Sequence, residues 1–240
     1  MPLKSPLTFL LVAWIALGTA CRNDIPATQE RIPADTTTED LAQDTTAEET
    51  SEEGFYADYE STDRLIWQQP EAVIGMLGDL TGKTVADIGA GSGYFTKRLA
   101  LRAKKVIAID IDQRFLHLLD SIVTRELPTD IRQRIEPRLA EPHDPHLQAG
   151  EVDAVLIVNT YMYMAERQNY LRTLLPAMSK KAKILIVDFK KTPTPIGPPE
   201  TIRLDAATVA RELGEASFHR VTTNEKLLQY QYAVLAQKKD

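Results

Sequence analysis

Residues 84–95 constrain this chain more than any other stretch: Thr84-Val85-Ala86-Asp87-Ile88-Gly89-Ala90-Gly91-Ser92-Gly93-Tyr94-Phe95. Val85, Ala86 and Ile88 suit a strand covered on both faces. Gly89, Gly91 and Gly93 then remove side chains where the backbone must turn tightly and let a ligand approach. From Tyr94 onward, Phe95, Leu99 and Ala100 fall at helical spacing. A strand, a glycine turn and a helix start together form a cradle for a nucleotide-type ligand, because unpaired backbone N–H groups lie at the helix N-terminus.

The segments that follow alternate in the same way. Lys105 to Asp110 reads as a buried strand ending in an acid, and Gln113 to Leu127 as a helix with Phe115, Leu116, Leu119 and Val123 inward. Arg134 to Ala140 reads as a weaker strand, whose Pro137 suits a sheet edge. Val152 to Asn159 is a strongly apolar strand, Glu166 to Met178 a helix, and Ala182 to Phe189 another strand. A proline-rich loop, Thr192 to Pro199, leads to a helix from Asp205 to Gly214, capped by Asp205. Phe218 to Leu227 and Gln229 to Ala236 read as a terminal hairpin. Upstream, Asp63 to Leu80 has helical spacing broken by Pro70, which predicts two short helices. The expected fold is α/β: a doubly wound, mostly parallel seven-stranded sheet with an antiparallel C-terminal hairpin.

In such sheets ligands bind beyond the carboxyl ends of the strands. Four strand ends here carry polar residues: Asp87 with the glycine turn, Asp110, Asn159 with Thr160 and Tyr161, and Asp188 with Lys190. Asp110 lies one βαβ step after the glycines, where an acid can accept hydrogen bonds from both ribose hydroxyls of a nucleoside. The glycine spacing narrows the ligand. A dinucleotide fingerprint would place its third glycine at position 94, where this chain has Tyr94. Asp87, two residues before Gly89, repels a pyrophosphate and suits a ligand with a positive group there.

This pattern, D-x-G-x-G-x-G after the first strand with an acid ending the second, resembles the class I S-adenosylmethionine-dependent methyltransferases. The resemblance runs from about Ser61 to the C-terminus. It includes Val152 to Thr160 and Ile184 to Lys190. Trp67-Gln68-Gln69-Pro70, Asn159-Thr160-Tyr161, Val187-Asp188-Phe189-Lys190 and Tyr230-Gln231-Tyr232 are similar to one bacterial branch of small methyltransferases. The resemblance implies S-adenosyl-L-methionine as cofactor, held by Asp87, Gly89, Ala90, Gly91, Gly93, Asp110, Ile111, Glu141 and Asn159. Asp87 would meet the methionine amino group, Asp110 the ribose, Ile111 the adenine face and Glu141 the adenine edge. Asn159 would line the methyl-transfer end. Asn159, Tyr161 and Asp188 are the candidate catalytic residues, with Tyr163 and Lys190 also placed to shape an acceptor pocket. Tyr163 and Met164 serve equally well as core residues opening a helix. Two departures stand out: Ser179-Lys180-Lys181 replaces the Gly-Gly common before the fifth strand, and Met162 and Tyr163 stand where the branch often has histidines.

The N-terminal quarter has a different character. Residues 1–20 read as a signal peptide: Lys4, an apolar run from Leu7 to Leu17, then Gly18-Thr19-Ala20. Cys21, the single cysteine, follows at once, as in a bacterial lipoprotein signal. That resemblance implies a lipid anchor on Cys21 and a membrane-associated protein of the cell envelope, or one held at the cytoplasmic face of the inner membrane. Residues 21–54 are rich in Thr, Glu, Asp and Ala and read as a disordered acidic tether. Residues 55–240 form the methyltransferase-like domain. One cysteine excludes internal disulfides, and a net charge of −6 leaves no nucleic-acid footprint. His143 and His146 are half a metal site without a third ligand in view, so no metal is expected. The expected partners are therefore a small-molecule acceptor and a membrane. An exported domain would lie outside the cytoplasmic pool of S-adenosylmethionine. Two functions follow: a tethered methyltransferase, or a non-catalytic lipoprotein that keeps the fold as a binding module.

Overall fold

The computed structural model describes residues 63–239. The signal peptide, Cys21 and the tether lie outside the described residues. Among those described, no helix is long and apolar enough to cross a membrane.

Two short helices come first, α1 (Arg64–Gln68) and α2 (Pro70–Met76). Gln69 joins them in the left-handed region at φ 44°, because Pro70 can open a helix but cannot continue one. Then follow β1 (Thr84–Ile88), α3 (Tyr94–Ala100), β2 (Lys105–Asp110), α4 (Gln113–Glu126) and α5 (Thr129–Arg132). The remainder is β3 (Ile135–Leu139), β4 (Val152–Val158), α6 (Arg167–Ala177), β5 (Met178–Phe189), α7 (Ala206–Glu215), β6 (Phe218–Asn224) and β7 (Gln231–Lys238). The seven strands form one sheet in the order β3-β2-β1-β4-β5-β7-β6. Strands β1 to β5 pair in parallel, while β7 pairs antiparallel with both β5 and β6.

Strand direction explains the core. Ala86, Ile107, Ile157, Ile186 and Val234 face α6 and α7, where Leu171, Leu174, Val209 and Leu213 pack on them. Val85, Val106, Leu156, Leu185 and Ala233 face the other way, toward α2 and α3, and meet Val73, Ile74 and Leu99. The central strands are buried on both faces, which is why they read as unbroken apolar runs. Pro137 lies on the edge strand β3, where its missing N–H costs no ladder bond to a further strand. Asp205 caps α7 by accepting from the Thr208 N–H at 2.6 Å.

Three details differ from the expectation. β5 starts at Met178 rather than Ala182, as a stub set off by a register shift against β4. Its residues Ser179, Lys180 and Lys181 are polar and partly exposed, so periodicity gives no strand signal there. Tyr161–Tyr163 is a single 3₁₀ turn rather than the start of a helix. The short α5 buries none of its residues, and so has no apolar stripe to read.

Strand order reverses between β1 and β4. β2 lies on one side of β1 and β4 on the other, and this opens a crevice at the carboxyl ends of β1 and β4.

Candidate active site

A cavity of about 1130 Å³ occupies that crevice. Its floor begins with the glycine turn. Gly89 and Ala90 both donate their N–H groups to the Ile109 carbonyl, at 2.8 and 3.0 Å. Gly89 has φ +75°, and a Cβ there would come within 2.1 Å of the Thr160 hydroxyl. Only glycine lets the turn lie directly on Thr160, just beyond β4. Gly91 is the complement: φ is +53°, and a Cβ would meet nothing within 4 Å. Its bare backbone faces open space at the cavity wall.

Asp110, only 9% exposed, clamps this turn. One carboxylate oxygen accepts the Gly91 N–H at 2.9 Å and the other accepts the Asp112 N–H at 3.0 Å. Each oxygen keeps a further acceptor site for a ligand hydroxyl. Burial raises the Asp110 pKa, while the N–H groups of Asp112, Gly91 and Ile111 pull it back. Ile111 follows directly and is 62% exposed, an apolar face with no protein cover. Glu141 borders the same end of the cavity, on a turn bridged to Asp144.

Asp87 is 2% exposed and accepts a 2.6 Å hydrogen bond from the Thr96 hydroxyl. Burial pushes its pKa up to about 6; the Thr96 bond opposes the shift and the Asp110 charge adds to it. A cationic ligand group at Asp87 therefore loses its partner as pH falls through 6. Cofactor affinity is expected to drop about 10-fold between pH 7 and pH 5, since about one carboxylate in ten stays ionised one unit below the pKa. Asp87→Asn should bind more weakly and show a much flatter profile, as measured by calorimetry across that range.

Asn159 follows β4 in the left-handed region at φ +56° and lines the cavity. A relay of amides holds it. The Arg64 Nε donates to Gln68 Oε1 at 2.5 Å, and Gln68 Nε2 donates to Gln231 Oε1 at 3.2 Å. Gln231 Nε2 in turn donates to Asn159 Oδ1. Gln68 and Gln231 are fully buried, so the relay fixes Asn159 from α1 and β7 at once.

Tyr161 and Asp188, both proposed from sequence for the acceptor pocket, do not line the cavity. Side chains alternate along a strand: Phe189 faces the cavity, so Asp188 points to the other side of the sheet. There Asp188 is 0% exposed. It accepts the Met162 N–H at 3.2 Å, so it braces the turn after β4. Burial pushes its pKa up to about 8. Its second oxygen and the Tyr232 hydroxyl are buried without a hydrogen-bond partner. Tyr161 donates its hydroxyl to Glu212 at 2.8 Å, and Arg167 binds the same carboxylate with two 2.9 Å bonds. That cluster ties the turn to α6 and α7. Tyr161→Phe is thus expected to cost about 1–2 kcal/mol in thermal unfolding, one hydrogen bond to a charged acceptor, with cofactor affinity unchanged. A loss of binding in a folded Tyr161→Phe protein would contradict this placement.

Lys190 is likewise structural, its ammonium bonded to the Leu228 and Gln229 carbonyls at 2.9 Å each. Tyr163 lines the cavity and is 61% exposed, so it is no core residue. His146 has its Nδ1 3.2 Å from the Leu139 carbonyl. No group of three His, Cys, Asp or Glu ligands gathers among the described residues.

Several cavity residues had no role assigned from sequence. Trp67, Phe189 and Tyr230 form an aromatic wall, with the Trp67 centroid 5.7 Å from Phe189 and 6.4 Å from Tyr230. A strap, Pro195 to Pro198, adjoins them. Arg203, 4% exposed, orders the strap from beneath. It donates to the carbonyls of Pro198 at 2.8 Å, Thr192 at 2.9 Å, Lys190 at 3.1 Å and Ile196 at 3.4 Å. Its guanidinium also lies 5.3 Å from the Phe189 ring centroid. The motifs around Trp67 and Tyr230 were legible as segments, but nothing local showed that they meet.

Residues 85–189 match the family model described as a methyltransferase domain. That stretch, a little under half of the chain, is what resembles a methyltransferase domain. Its fold is that of the S-adenosylmethionine-dependent enzymes: a solved methyltransferase of that type from Aquifex aeolicus superposes with a TM-score of 0.71. The two share 24% identity, over 77% of this chain and 97% of the other. Among curated relatives, the chain is 33% identical over 85 residues to a magnesium-protoporphyrin O-methyltransferase of Rhodobacter capsulatus. That match covers 35% of this chain and 35% of the relative. It is also 33% identical over 113 residues to ribosomal RNA small subunit methyltransferase A of Koribacter versatilis, covering 47% of this chain and 33% of that one. The chain thus spans about a third of the length of these curated relatives.

Proposed function

We propose that this protein transfers a methyl group from S-adenosylmethionine to a small-molecule acceptor. The observation that carries the reading is the clamp of Asp110 on the Gly91 N–H. It sets a carboxylate beside a bare glycine backbone, at the place where a ribose needs two acceptors and no side chain. The rest of the wall fits the same cofactor. Ile111 offers an exposed apolar face to an adenine, and Glu141 borders that end. Asp87 lies where an ammonium group gains most from a buried carboxylate. Gly89, Ala90 and Gly93 complete the turn, and Asn159 stands at the methyl-transfer end.

When bound, S-adenosylmethionine would supply a methyl carbon to an acceptor lone pair, the carbon–sulfur bonding pair passing to the sulfonium sulfur, which leaves as a neutral thioether. The protein's part is to align the acceptor and exclude water. Asn159 is held for this by the relay through Gln231, and Tyr163, Trp67 and the strap cover the acceptor end.

Calorimetry with S-adenosylhomocysteine, followed by transfer of labelled methyl to small-molecule extracts, tests the reading. Binding and labelling are both expected. Binding without labelling would favour the binding module, and no binding by folded wild type would overturn both.

From its sequence alone, we further propose that Cys21 carries a lipid and tethers the domain to a membrane of the cell envelope. Fatty-acid labelling should appear in the wild type and vanish in Cys21→Ala; label that persists in the variant would refute the anchor.

A further inference from the structure

The acceptor half of the cavity differs in chemistry from the cofactor half. Trp67, Phe189 and Tyr230 are tilted against one another, with Trp67 at 39° to Phe189 and 46° to Tyr230. Pro195, Ile196 and Pro198 add apolar surface beside them. Gly197 is pressed onto the Phe189 ring: a Cβ there would come within 2.6 Å of it, at φ +96°. The strap and the aromatic wall are therefore one packed surface, not two loops that happen to be near.

The charges point the same way. Among the described residues, the charged side chains lining the cavity are Asp63, Arg64, Asp87, Asp110 and Glu141, four acids against one guanidinium. Arg64 spends its Nε on Gln68. Beside the strap, Lys190 and Arg203 are turned onto backbone carbonyls and, like Lys191, do not line the cavity. Asp87, Asp110 and Glu141 belong to the cofactor half, so among the described residues an anionic acceptor would find one lining cation, Arg64, already engaged by Gln68 and the Tyr94 ring. A flat apolar body would instead cover the rings and displace water from them.

We propose that the acceptor is an uncharged molecule with a flat, apolar ring body and no phosphate. This rests on the methyltransferase reading and names its substrate class. The acceptor therefore differs in charge from RNA, although several relatives of this chain are named for ribosomal RNA.

The test is calorimetry on the full chain, with and without saturating S-adenosylhomocysteine. The probes are 2-naphthol, 2-naphthyl phosphate and a short RNA hairpin. Naphthol is expected to bind, and naphthyl phosphate, with the same ring body, at least 10-fold more weakly. Trp67→Ala and Tyr230→Ala should each weaken naphthol about 10-fold while leaving S-adenosylhomocysteine within about 3-fold, the loss expected from removing one aromatic contact. Equal or tighter binding of naphthyl phosphate or the hairpin would overturn the proposal. So would a chain that binds S-adenosylhomocysteine but not naphthol. The phosphate comparison uses wild type only, so it decides even where a variant fails to fold. A chain that binds naphthol selectively but not S-adenosylhomocysteine would support the pocket chemistry and refute the methyltransferase reading.

Discussion

Asp110→Ala is expected to weaken cofactor binding about 100-fold or more while the protein stays folded. Two hydrogen bonds from ribose hydroxyls to a carboxylate are lost, each worth about 1.5–3 kcal/mol. The carboxylate also spends two acceptor sites on the Gly91 and Asp112 N–H groups, so its loss frees the turn as well. Asp112→Ala is the control. Asp112 caps α4 by accepting from the Arg114 N–H at 2.9 Å, and its removal should cost about 1 kcal/mol of stability without touching affinity. Calorimetry with S-adenosylhomocysteine and thermal unfolding separate the two effects. A folded Asp110→Ala protein that binds normally would remove the basis for the ribose assignment.

Arg203→Ala should have the largest effect on the acceptor side. The side chain makes hydrogen bonds to four carbonyls, and its removal leaves buried acceptors unpaired. A loss of about 3 kcal/mol in stability is expected, with faster proteolysis in residues 191–199. Affinity for 2-naphthol should fall about 10-fold, while S-adenosylhomocysteine binding, which draws on the glycine turn and Asp110 and not on the strap, should change less than about 3-fold. Arg203→Lys should not rescue the strap. A single ammonium cannot reach carbonyls that a planar guanidinium fork serves in several directions. Rescue by lysine would mean that charge, and not geometry, orders the strap.

These two residues show what a sequence does and does not carry. The position of Asp110 was legible because it is set locally: it ends a strand one βαβ step after a glycine turn, and both pieces read by periodicity. Arg203 had no such context. It precedes a helix by a short stretch, and only the packed fold brings it under the loop of residues 192–198. Gln68 and Gln231 were visible as parts of recurring segments, yet their bond spans 163 positions. Asp188 and Tyr161 were misplaced for a related reason. A strand end with a polar residue says that something polar lies near the crevice, but the side of the sheet depends on which neighbour faces the cavity. Phe189 takes that side, and Asp188 is left in the interior with Tyr161 and Tyr232.

The division follows the physics of the two halves. By itself the sequence determined the alternating α/β fold, the parallel sheet with its terminal hairpin, and the cofactor cradle, because each depends on short-range periodicity and on glycines at a single turn. Tertiary structure decided the acceptor half. Its wall is assembled from Trp67 on α1, Phe189 on β5, the strap and Tyr230 before β7, and these meet only because β7 inserts antiparallel beside β5. No local pattern encodes such a meeting; burial of both sheet faces, and the strand order it selects, brings those residues together.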